Sequence, residues 1–100
     1  MKRRSAVFTH LPRKVRIGRA TYRVVRGIPD NKLAGLVIYP RRTIWIDGKL
    51  SIHEMESTLL HELIHVIAHH LDFGLSEKKV LALEKGLYAL FRRNKWKITI

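Results

Sequence analysis

The sequence predicts a small α+β domain, a mostly antiparallel sheet of three or four strands packed on two helices. Three observations carry this reading. The first half of the 100-residue chain alternates apolar and basic residues in short runs broken by turn residues, and the second half has two stretches of helical periodicity. The halves meet at Ser51, whose spacing to Glu54 marks a helix start. A chain of this length makes one domain with one core, spanning 1–100, with 1–13 and 95–100 expected to be flexible termini.

Taken in order, Val15, Ile17, Tyr22 and Val24 alternate with basic residues around Gly18-Arg19, which suits a tight turn, so a β-hairpin is expected over 14–26. Residues 27–32, containing Pro29, Asp30 and Asn31, read as a loop. Ala34 to Tyr39 is a short β-branched and aromatic run, hence a strand. After the turn residues Pro40-Arg41-Arg42, Thr43 to Asp47 alternates again with Ile44 and Ile46 on one face, which predicts a second hairpin.

Ser51 and Glu54 form a capping-box pair, each able to satisfy a free backbone N–H of the other. The apolar positions that follow, from Met55 to Leu71, cover more than half of the helical wheel and predict a helix buried on most sides. The remaining stripe holds Thr58, His61, Glu62, His65 and His69. Gly74 supplies a stop signal, and Ser76 caps a second helix to about Arg93 with Val80, Leu83, Leu87 and Phe91 as its core stripe.

Composition narrows the chemistry. With no cysteine there is neither a disulfide framework nor a thiolate metal site, so a metal in this chain is held by histidine and carboxylate. No stretch approaches the roughly 20 apolar residues of a membrane span, and no apolar run follows the basic Met1 to Arg4, so the chain reads as soluble and cytoplasmic with no membrane partner. Lys and Arg number 20 against 8 acidic residues, a formal charge of +12. That excess favours weak, non-specific attraction to nucleic acid. No nucleic-acid motif organises it, and the alternative is a solvated basic surface that aids solubility.

The chemistry-bearing residues lie on the first helix. His61 and His65, four apart, stand one turn from each other on one face, so their ring nitrogens can converge on one tetrahedral zinc ion. Glu62 is turned about 100° from His61 and can act as general base toward a water activated by the metal. The alternative is a hydrogen-bonded polar stripe. A third ligand is needed, and Glu84 is the candidate, because a carboxylate within the apolar stripe of the second helix is costly unless a cation meets it. An ion pair with Arg or Lys would meet the same need. Tyr88, one turn beyond Glu84, could donate to an oxyanion, or could be a core tyrosine with an exposed hydroxyl. His69 lies about 12 Å along the axis from His61, too far to share its ion.

Thr58-Leu59-Leu60-His61-Glu62-Leu63-Ile64-His65, with Leu83-Glu84-Lys85-Gly86-Leu87-Tyr88 downstream, resembles the gluzincin clan of HExxH zinc peptidases. By length it looks most like the minimal gluzincins and the small phage-encoded relatives of ImmA/IrrE-type metallopeptidases, whose helix often has a further histidine at the place of His69. The resemblance covers roughly residues 34 to 94. It implies zinc bound by His61, His65 and Glu84, Glu62 as base, and a peptide or protein substrate lying antiparallel along the open strand Ala34 to Tyr39. The expected function is hydrolysis of peptide bonds. The alternatives are a basic nucleic-acid-binding protein, and a zinc-stabilised fold that is inactive or zymogen-like.

Overall fold

In a computed structural model of the chain, residues 6–27 and 32–99 are described. The loop expected over 27–32 falls mostly outside them. Four strands, β1 (Lys14–Ile17), β2 (Ala20–Arg26), β3 (Gly35–Ile38) and β4 (Thr43–Ile46), precede two helices, α1 (Ile52–His70) and α2 (Glu77–Arg93). The fold is the expected α+β arrangement, with a mixed, mostly antiparallel sheet.

Both hairpins form. β1 pairs antiparallel with β2 across the Gly18-Arg19 turn, where Gly18 has φ +58°, a value that costs glycine little. β3 pairs antiparallel with β4. The hairpins join through a parallel β2–β4 pairing, which puts the strands in the order β1-β2-β4-β3. Among the described residues β3 is therefore an edge strand with one neighbour. It is shorter than the 34–39 run by one residue at each end, because Tyr39 and Pro40 enter the turn.

α1 starts as its capping box dictates: Ser51 Oγ accepts from Glu54 N at 3.2 Å, and Glu54 Oε1 accepts from Ser51 N at 3.3 Å. It is the middle layer, with the sheet on one side and α2 on the other. Met55, Leu59 and Val66 of α1 pack with Tyr22, Ile44 and Ile46 of the sheet. Where α1 ends, the left-handed residue is Asp72 (φ +54°), not Gly74, and Phe73 N closes on Ala68 O at 3.1 Å. The turn sends α2 back along α1.

The chain ends depart from expectation. Val7, Phe8 and Leu11, within the 1–13 stretch expected to be flexible, are core residues. Phe8 bridges Ile98, so both ends of the described chain are tied to each other. The α2 stripe also differs. Val80 is fully buried, but Leu83 is 45% exposed, because α2 turns Glu84 and Tyr88 toward α1 instead. Among the described residues, no helix is long and apolar enough to cross a membrane.

Candidate metal centre

The antiparallel packing of α1 and α2 fixes which acidic residue meets which histidine. Ser76 caps α2 by accepting from Lys79 N, which places Glu77 in the first turn, a favourable position for an anion beside the helix N-terminus. From there the Glu77 carboxylate reaches both His61 and His65. Its Oε1 lies 2.5 Å from His61 Nε2, and its Oε2 lies 2.9 Å from His65 Nε2. Glu84 is seven residues, or about 10 Å, further along α2. It meets the other nitrogen of the same ring: His61 Nδ1 donates to Glu84 Oε1 at 2.8 Å, while Ser57 Oγ donates to Glu84 Oε2.

The expected ligand set is thus rearranged. His61, His65 and Glu77 offer ligand atoms that all lie within 4.8 Å of one another. Glu84, the expected third ligand, has both oxygens engaged away from the two Nε2 atoms and is not part of this group. Hydrogen-bonding Nδ1 of a ligating histidine to a carboxylate is the arrangement that fixes the ring and its tautomer. Glu77 escaped the sequence reading because an acidic residue in a first helical turn has an ordinary explanation in the helix dipole. The signal that could have found it is its place just after the reversing turn, opposite the last turns of α1.

Glu62 is 9% exposed and lines a cleft of about 510 Å³ together with His61, His65, Glu77 and the β3 residues Gly35, Leu36 and Val37. The close approach of β3 to α1 depends on Gly35. A Cβ there would stand 2.7 Å from Thr58 Cγ2 and 2.9 Å from Glu62 Oε2. Burial raises the Glu62 pKa, and the charges of His61 and His65 offset part of that rise. For His61, burial alone would lower the pKa, but the hydrogen bond to Glu84 and the charges of Glu77 and Glu62 outweigh it, so the net direction is upward.

Tyr88 is placed elsewhere. Its hydroxyl donates to Glu56 Oε1 at 2.7 Å and lies 3.1 Å from His53 Nδ1, outside the histidine cleft. Its one-turn offset from Glu84 carries it past the cleft to the next turn of α1, so the residue expected as an oxyanion donor does not line the cleft. Burial and Glu56 both push its pKa up. Glu56, which no sequence pattern marked, is fully buried and also accepts from Val7 N at 3.1 Å and Phe8 N at 2.7 Å. His69 stacks on Tyr39 with ring centroids 4.0 Å apart, and His70 Nε2 is hydrogen-bonded to the Tyr22 hydroxyl. Neither lines the cleft.

No protein-family model, curated protein or solved structure matches this chain. The residues themselves carry the reading. Two imidazoles and one carboxylate, in a chain without thiolates, form a donor set that suits zinc and leaves one position open.

Proposed function

We propose that this protein is a zinc-dependent peptidase in which His61, His65 and Glu77 hold the metal, Glu84 orients His61, and Glu62 is the general base. The observation that carries the reading is the meeting of one carboxylate, Glu77, with Nε2 of both histidines in the cleft that also holds Glu62.

The metal, when bound, supplies a Lewis acid that polarises a carbonyl and brings the pKa of a water toward neutrality. The remaining work belongs to the chain. Glu62 accepts the proton of the attacking water and returns it to the leaving nitrogen. The unpaired edge of β3 offers backbone N–H and C=O groups to an extended substrate, as an added strand would use them. Leu33, Leu36 and Leu81 make the cleft walls apolar, which suits exclusion of bulk water. The reading includes the cytoplasmic setting expected from the sequence, which cell fractionation tests.

The direct test is hydrolysis of a mixed quenched-fluorescent peptide library by zinc-loaded protein, chelated protein and the Glu62→Gln variant. Cleavage should need zinc and should fall by about 10²-fold or more in Glu62→Gln, the usual range for losing a general base. Stoichiometric zinc with no cleavage of any peptide would point to a structural metal instead.

A further inference from the structure

The far side of α2 carries a second set of features that the histidine cleft does not use. α2 contains two acids, Glu77 and Glu84, and both are turned to histidines. Its five cations, Lys78, Lys79, Lys85, Arg92 and Arg93, are left without an ion-pair partner among the described residues. Lys85, Arg92 and Arg93 line a cavity of about 720 Å³ whose other walls are Ser57, Tyr88 and Ala89. No acid faces it. Arg92 also lines an adjoining cavity with Lys95, Trp96 and Lys97, so the two hollows form one basic track from mid-α2 to the C-terminal segment.

The track is held in place. The Arg92 guanidinium lies 5.8 Å from the centroid of the Tyr88 ring, whose hydroxyl is fixed by Glu56. Lys95 has φ +56°, and this left-handed turn is closed by Trp96 N donating to Phe91 O at 2.9 Å. Beyond it, Ile98 is pinned to the N-terminal segment, its N–H donating to Val7 O at 2.7 Å. Trp96 is 53% exposed between two lysines.

We infer that the Lys85–Lys97 face is a binding surface for single-stranded nucleic acid, with the cations following the phosphates and Trp96 stacking on a base. A cationic groove with an accessible aromatic ring is the combination that sequence-tolerant single-strand binding requires. A duplex keeps its bases stacked on one another and has no use for the ring. The basic face of the sheet, with Lys14, Arg16 and Arg23 exposed, has charge, but its one tryptophan, Trp45, is half-buried where Trp96 stands out from the surface. An anionic membrane is the poorer fit. Of the three exposed leucines of α2, Leu81 lines the histidine cleft, and Leu83 and Leu90 are each two residues from Lys85 and Arg92, about 200° round the helix, so the track has no continuous apolar surface beside it to enter a bilayer.

The inference is independent of the metal site and is tested on the full chain by fluorescence anisotropy with a labelled oligothymidylate across a salt series. Trp96→Ala should weaken binding by about tenfold, with Trp96→Phe recovering most of it. Lys85→Glu and Lys97→Glu should each cost several times more than Lys14→Glu and Arg16→Glu, which change net charge equally on the sheet face. In Lys85→Gln the slope of log affinity against log salt should fall by about 0.7. All these side chains are exposed, and in a Trp45→Phe variant, where Trp96 is the one remaining tryptophan, quenching of its emission by unlabelled oligonucleotide reads the ring directly. Equal losses on both faces, no quenching, an unchanged affinity in Trp96→Ala, or tighter binding to phosphatidylserine vesicles than to the oligonucleotide would each overturn the inference.

Discussion

Gly35 of β3 and Glu62 of α1 stand so close that a single added carbon on Gly35 would lie 2.9 Å from Glu62 Oε2. The edge strand that would take a substrate and the base that would serve it are therefore positioned by one contact. Gly35→Ala should displace one or the other and cut peptide hydrolysis at least about tenfold, as small misplacements of catalytic groups do. Thermal unfolding should show a loss of about 1–3 kcal/mol from overpacking. Zinc affinity should change little, since the nearest atoms an added Cβ would meet belong to Thr58 and Glu62, outside the proposed ligand set. A fall in zinc affinity equal to the fall in activity would mean that Gly35 shapes the metal site instead.

Glu77 and Glu84 meet opposite nitrogens of the His61 ring, and substitution should separate their roles. On the proposed assignment, Glu77→Gln removes a ligand and should abolish tight zinc binding in chelator competition. Glu84→Gln leaves the ligand set intact but weakens its support, and should lower zinc affinity by about 10–100-fold. If Glu84→Gln is the more damaging change, the two assignments are reversed.

Zinc and protons compete for His61, so its raised pKa makes the stability of the metal-free protein depend on pH. A histidine whose folded pKa lies above its unfolded value of about 6.5 contributes stability that is full below that value and lost as pH rises through the folded one. Glu62, also raised, adds in the same direction at lower pH. The melting temperature of metal-free protein should therefore fall as pH rises above about 6.5. The gain on adding zinc should widen over the same interval, because deprotonated imidazole is the ligand. Glu84→Gln should flatten the metal-free decline. A metal-free stability that rises over this interval would contradict the electrostatics of the site.

Glu56 ties the N-terminal segment to both helices, accepting from Val7 N, Phe8 N and the Tyr88 hydroxyl while fully buried. Glu56→Ala strands the Val7 and Phe8 N–H groups in the interior, while the Tyr88 hydroxyl keeps His53 Nδ1, and should cost about 2–4 kcal/mol in denaturant unfolding, a large share of what a domain this small possesses. A cost under about 1 kcal/mol would show that water replaces the carboxylate.

The parts of the fold legible in the sequence were those with local causes. The Gly18 turn, the Ser51–Glu54 box and the Ser76 cap act within a few residues, and all three place their elements as expected. The parallel β2–β4 pairing and the burial of Val7 and Phe8 depend on contacts far apart in the chain, which no periodicity records. The site divides in the same way. His61, Glu62 and His65 share one helix, so their spacing shows their common face. Glu77 and Glu84 are on a second helix whose alignment is set by the turn at 71–76, and a shift of two turns exchanges their roles. Tyr88, read with Glu84 as one unit, went to Glu56 for the same reason.

The central claim is that one zinc ion binds to His61, His65 and Glu77. Crystals of zinc-loaded protein, with anomalous difference maps on either side of the zinc edge, test it most directly. The account predicts one peak per chain, bonded to Nε2 of His61 and His65 and to the Glu77 carboxylate, with Glu84 still on His61 Nδ1. No peak at this position, or a peak ligated by Glu84 in place of Glu77, would contradict it.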